Sequence, residues 1–257
     1  MGNVISSFPN PKSPMQQSIS LNSLLFLAFT LTGIATMSAQ NGPQFGITAF
    51  PNYSGGRIAA GSTVNEAAID SIELRETSRP SLSWGIVAQW RAEKIGFRTG
   101  FQLTDTGYRS VKEGIPADVE APDGALTRRV DYRNLNLELP AEILFLHELN
   151  ARHRVNFMMG FSAAYNLRNY EDNLFFSGEK LGRAQNQISN DAFQRLQLGF
   201  QTGIGWQYDM GPRMIFFAQP TFYFWYTGLL AETEEVNRSL YAIGLKTGIL
   251  FKTKTNQ

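Results

Sequence analysis

From Leu196 to Tyr208 the chain reads LQLGFQTGIGWQY, a strict alternation of two kinds of side chain. Leu196, Leu198, Phe200, Thr202, Ile204, Trp206 and Tyr208 hold one set of positions, and Gln197, Gly199, Gln201, Gly203, Gly205 and Gln207 hold the other. Successive side chains point to opposite faces in an extended strand, so a period of two specifies a strand with one apolar face and one small or polar face. The pattern recurs along the chain. Leu82, Trp84, Ile86, Ala88 and Trp90 alternate with Ser83, Gly85, Val87, Gln89 and Arg91; Ile95, Phe97, Thr99, Phe101 and Leu103 alternate with Gly96, Arg98, Gly100, Gln102 and Thr104. The same holds for 134–145, 155–166 and 241–251. Two less regular runs, 44–53 and the aromatic-rich MIFFAQPTFYFWY at 214–226, bring the expected count to about eight strands.

The connections alternate as well. Glu93-Lys94, the region of HELNAR (147–152) and DMGPR (209–213) are short, whereas 54–79, 109–128, 167–191 and 228–237 are long and polar. Short and long in turn is the asymmetry of an all-β, eight-stranded, antiparallel up-and-down transmembrane barrel, with short periplasmic turns and long outer loops. The competing architecture is a soluble, secreted calycin-like barrel that binds an apolar ligand inside. The second face decides between them. Gly, Gln, Asn and Ser make a poor solubilising exterior but suit the inside of a narrow barrel. Length agrees: Leu196 to Tyr208 extends about 40 Å at roughly 3.3 Å per residue, and a tilt near 40° projects this to about 30 Å, enough for an apolar band of about 25 Å.

On this reading Trp84, Trp90, Phe157, Phe161, Phe200, Trp206, Tyr208 and Phe251 face lipid, with Trp206 and Tyr208 near the periplasmic interface. Arg91, Arg98, Glu138, Glu142 and Lys246 face the lumen. Unpaired charge there is expensive, so an ionic and hydrogen-bonded plug is expected, with Arg98 beside Glu138 or Glu142. Pro140 and Pro220 fall inside expected strands, lack the donor a ladder needs, and predict bulges or bends.

The N-terminal region carries a second signal. LLFLAFTLTGIA, Leu24 to Ala35, is too short to span a bilayer as a helix and is followed by small Ser38 and Ala39, which reads as a signal peptide over 1–39 ahead of a barrel domain over 40–257. Met15 is an alternative start to Met1. Mean hydropathy is −0.21, unlike a bundle of membrane helices. Of 23 Lys+Arg only Lys12 lies in the leader, against 22 Asp+Glu, so the remainder is balanced and lacks the basic field of a nucleic-acid binder. With no cysteine, a disulfide scaffold, a thiol nucleophile and a lipoprotein anchor are excluded.

NLELPAEILF (136–145), IGFRTGFQLTDTGYRS (95–110) and FGITAFPNYS (45–54) resemble segments of the PorT-like outer-membrane β-barrel family of Gram-negative bacteria. The resemblance implies an eight-stranded outer-membrane barrel, tolerates a proline at 140, and connects the chain to a family whose founding member is associated with protein export. Its implied partners are outer-membrane lipid, the barrel-assembly machinery during insertion, and proteins met by the outer loops.

Other motifs carry less. Ser177-Gly-Glu-Lys180 and Lys246-Thr-Gly248 mimic elements of penicillin-binding enzymes, but Ser177 falls in a loop, Lys246 on a strand, and SND does not lie in order between them. His147 and His153 bracket a short turn, the wrong end for an outer-leaflet hydrolase, and lack a third ligand for a metal. Glu232, Glu234 and Glu235 read as a solvated loop tip. No cofactor is implied, and the expected role is structural or interactive rather than enzymatic.

Overall fold

The computed structural model describes residues 41–60, 66–230 and 236–253; the expected signal peptide and Glu232, Glu234 and Glu235 lie outside the described residues. The elements are β1 (Asn41–Ala60), α1 (Glu66–Glu73), β2 (Glu76–Thr77), β3 (Arg79–Ala92), β4 (Ile95–Ser110), β5 (Glu113–Gly114), β6 (Thr127–Glu148), β7 (His153–Ser177), β8 (Glu179–Ile188), β9 (Leu196–Asp209), β10 (Met214–Trp225) and β11 (Val236–Lys252). Every pairing between neighbours is antiparallel.

Among the described residues, eight of the eleven strands form a closed ring in the order β1, β3, β4, β6, β7, β9, β10, β11, with β11 pairing back to β1. These eight coincide with the eight alternating runs of the sequence. The three others, β2, β5 and β8, pair outside the ring order with β4, β6 and β7. The connections β3–β4, β6–β7 and β9–β10 are tight, and the N-terminal start of β1 meets the end of β11 at this same end, Gln44 opposite Lys252.

The long connections differ from simple loops. Residues 167–191 are largely a hairpin, because β7 continues to Ser177 and β8 returns along it. β8 contains Gly182 and a polar run with no apolar alternation, so its sequence gives no strand signal; the exposed edge of β7 supplies the template. The prolines also correct the expectation of bulges. At Pro140 the pairing with β7 is continuous and the β4 ladder resumes in the same register on either side; at Pro220 the pairing with β11 is continuous and the β9 ladder resumes likewise. A missing donor interrupts the ladder on one side without adding a residue. The register shifts occur elsewhere, at Asn41/Gln44, Leu135/Asn136 and Phe175/Phe176.

The apolar face points outward. Ile204 is 69% exposed and Phe161 64%, within a continuous belt that includes Ile47, Trp84, Ile86, Phe101, Leu139, Ile143 and Ile243. A belt of that extent is a surface for a non-aqueous neighbour. On the inner face glycine is required where the groups of neighbouring strands approach closely. A Cβ at Gly248 would stand 2.3 Å from the Ile47 carbonyl oxygen and 2.6 Å from the Phe217 ring. Gly248→Ala is expected to destabilise the ring by roughly 1–3 kcal/mol, seen as a lower temperature for the folded-to-unfolded gel shift. Gly114→Ala, where no atom lies within 4 Å of the new Cβ, should leave that temperature unchanged.

Candidate functional site: the lumen of the ring

Two strands show how the lumen is layered. Inward along β10 come Ile215 and Phe217, then Gln219 and Thr221, then Tyr223 and Trp225, all buried. Along β11 the same order is Leu250, Lys246, then Ala242 and Leu240. At the short-turn end Val87, Ile215, Phe217 and Leu250 cluster, and Leu144, Leu146 and Met158 form a second group. At the long-connection end Phe50, Tyr108, Tyr223, Trp225, Leu229, Leu240 and Ala242 pack with Tyr132 and Phe193 against them. A polar layer lies between two apolar ones.

The polar layer centres on Glu142. Arg98 stands directly across from it on β4, and its Nε donates to Glu142 Oε2 at 2.5 Å. Lys246 Nζ donates to Glu142 Oε1 at 2.5 Å and to Gln201 Oε1 at 3.3 Å. Arg98 Nη2 donates to Gln219 Oε1 at 3.0 Å, and its guanidinium lies 4.7 Å over the Phe217 ring. The ring order gives these contacts their meaning. β6 and β11 are four places apart in a ring of eight, as are β4 and β10, so Glu142–Lys246 and Arg98–Gln219 each tie opposite walls. Arg98, Glu142 and Lys246 are about 1–2% exposed, where charges persist only if paired and fully hydrogen-bonded.

The other expected lumen residues sit apart. Glu138 is buried on the same face as Glu142 but has no cationic contact; Thr104 Oγ1 donates to its Oε2 at 2.6 Å. Arg91 is at the short-turn rim, bonded to Glu148 at 2.7 Å rather than to the central group. Gln201, Gln219 and Phe217 complete the centre. Alternation places the two glutamines on the polar face, but it cannot say which level of the opposite wall they meet.

The outward aromatics lie on the apolar face. Trp84, Phe157, Phe161, Trp206 and Phe251 are exposed, whereas Trp90, Phe200 and Tyr208 are half-buried. The half-buried ones pack on neighbours: Trp90 on Phe97, Phe200 on Phe161, and Tyr208 on Trp206. His153 joins this girdle. It stacks on Trp206 and lies tilted against Tyr208, and its Nδ1 accepts from Trp206 Nε1 at 3.2 Å. Past the girdle, Asp209 accepts from Arg154 and ion-pairs Lys252, both at 2.9 Å.

Among the described residues, a seam opens in the wall between β3 and β4. The β3–β4 ladder ends at Trp84↔Leu103, although β3 runs on to Arg79 beside β1 and β4 runs on beside β6. Arg79 spans the seam with bonds to Asp105 Oδ1 at 2.8 Å and the Thr106 carbonyl at 3.3 Å. From Asp105 an ionic chain continues through Arg133, Asp172 and Arg183.

Two outcomes follow. Glu142→Gln removes the anion that touches both Arg98 and Lys246 and should destabilise the fold by about 3–5 kcal/mol. The triple change Arg98→Met, Glu142→Leu, Lys246→Met removes all three charges together and should lose less in denaturant unfolding of the detergent-folded protein. At the rim, burial alone would raise the Asp209 carboxyl, but hydrogen bonds from Lys252 and Arg154 outweigh it and hold the group below its ordinary value. A depressed folded value gives stability that is present at neutral pH and lost as pH falls through that value. Acid titration of the unfolding temperature should therefore show a drop below about pH 4, which Asp209→Asn flattens.

The chain matches the family described as outer membrane protein beta-barrel domain over residues 39–229. No curated protein matches it. Among solved structures it is similar to neisserial surface protein A, at 15% identity and a TM-score of 0.39, covering 82% of this chain and 99% of that one. It is also similar to a major outer membrane protein of Thermus thermophilus, at 11% identity and a TM-score of 0.39 over 82% and 100% of the two chains. A third is the Escherichia coli outer membrane protease OmpT, at 8% identity and a TM-score of 0.43 over 84% and 98%. The family match spans most of the chain, and the outward apolar belt fits the location it implies: this chain belongs to the outer membrane protein β-barrel family and resides in the cell outer membrane.

Proposed function

We propose that the chain is an eight-stranded transmembrane barrel whose lumen is plugged, and that it acts as a structural or interaction protein through its outer wall rather than as a channel or an enzyme. The observation that carries this reading is the central ionic group, which ties opposite walls between two apolar layers. An ion entering the lumen would have to shed water past Trp225 and Tyr223, displace Lys246 or Arg98 from Glu142, and pass Phe217. Each step costs several kcal/mol in a narrow apolar setting.

The reading against catalysis rests on where the reactive side chains stand. His147 and His153 are at the short-turn end, and His153 is held in the aromatic girdle. Of the lumen carboxylates, Glu142 is held by Arg98 and Lys246, and Glu138 accepts from Thr104 through one oxygen. Outer-membrane lipid is the solvent of the apolar belt, the assembly machinery is the partner at insertion, and proteins outside the cell meet the wall formed by β5, β6, β7 and β8.

Planar-bilayer recording tests the plug. The wild-type chain should give no discrete conductance steps. The combined change Phe217→Ala, Glu142→Ala, Lys246→Ala, which empties one apolar layer and the central tie, should give small steps in those molecules that retain the folded gel mobility. Steady conductance by the wild-type chain would overturn the plug.

A further inference from the structure

β8 pairs with β7 from Asn169↔Ile188 to Ser177↔Glu179 and, among the described residues, with no other strand. Its second edge therefore presents backbone N–H and C=O groups without ladder partners, and its side chains are largely exposed on both faces. Strand edges of this length are usually blunted by proline or by charge. β8 has no proline, and its charges, Glu179, Lys180 and Arg183, all fall in its first half. The second half, Ala184-Gln185-Asn186-Gln187-Ile188, is uncharged.

That half reads nearly the same in both directions about Asn186. An antiparallel partner of identical sequence centred there sets Asn186 opposite Asn186, Gln185 opposite Gln187, and Ala184 opposite Ile188. Amides meet amides and apolar meets apolar, the pairings that stabilise facing strands. A shift of one residue either way places Arg183 or Gln185 against Ile188 and loses the match. We propose that β8 is a self-association edge, pairing antiparallel with the β8 of a second copy of this chain.

The membrane then fixes where the second copy stands. Antiparallel pairing of identical strands requires a two-fold axis perpendicular to the strand. β8 is in register with β7, and barrel strands incline by about 35–45° to the membrane normal, so an axis along the normal cannot relate two copies in this way. The partner copy faces the first from an opposing membrane. Five residue pairs make a weak isolated contact, and many copies on two apposed surfaces multiply it. This inference rests on the proposed reading of the outer wall as the contact surface; conductance and clustering are read separately, so failure of the plug leaves it standing, and failure of self-pairing leaves the plug standing.

The test uses the full chain reconstituted in phosphatidylcholine vesicles. Wild-type vesicles should cluster, by light scattering, in proportion to protein density. Gln185→Glu with Gln187→Glu sets like charges opposite each other, as does Gln185→Lys with Gln187→Lys; each variant alone should cluster at least tenfold less. An equal mixture of the two should cluster again, because Glu then faces Lys. The chain has no cysteine, so Asn186→Cys is a clean probe: mild oxidation of clustered vesicles should give a disulfide-linked dimer, and Lys94→Cys at a short turn should not. Dispersed wild-type vesicles, a mixture that stays dispersed, or equal cross-linking at both cysteines would overturn the proposal. If the charge variants lose the folded gel mobility, the cysteine pair decides alone.

Discussion

A hydrocarbon phase offers no partner to a backbone N–H or C=O, so a sheet that crosses it must close on itself. Here that closure is the pairing of β1 with β11, from Gln44↔Lys252 to Ala60↔Val236. Other features follow from it. A ring of eight encloses a space only one or two side chains wide, so the inner face must be small or long and mutually bonded. Glycine occupies the closest approaches, and glutamine and asparagine fill much of the rest. The outer face is free to be large, apolar and aromatic because its neighbour is lipid.

The central charges are the less obvious consequence. Arg98, Glu142 and Lys246 would each be costly alone, yet together Glu142 gives each cation a charged partner. The two wall-to-wall ties differ in kind. Lys246–Glu142 joins charges, whereas Arg98–Gln219 is a charge-assisted bond to a neutral amide. Such bonds are stronger than neutral ones and directional, so they fix the shape of the cross-section as well as its stability.

Period-two alternation reveals strands where one face is apolar and the other is not, and it does so for β3, β4, β6, β7, β9 and β11. It blurs on β10 because Phe217, Tyr223 and Trp225 face inward and make both faces apolar. β8 is silent because a strand exposed on both faces needs no pattern at all. The Arg98 partner is legible from sequence only as Glu138 or Glu142, since consecutive strands are neighbours but the long 109–128 connection leaves their register open. Lys246 is legible only as an inward residue. Its place opposite Glu142 depends on the stagger accumulated around the whole ring, which no local pattern encodes. Pro140 and Pro220 misled for a related reason: the lost donor faces only one neighbour, and the other ladder holds the register.

The pairing of β1 with β11 also sets an order of events in time. The ring strand synthesised first needs, as one of its two permanent neighbours, the ring strand synthesised last. Until Val236–Lys252 arrives, β1 can be satisfied on its β3 side alone, and its other edge stays open. Closing a loop of nearly the whole chain is entropically slow and leaves intermediates prone to pairing with the wrong strand. Maturation of the ring is therefore gated by the arrival of its final strand, which alone covers the open edge of β1.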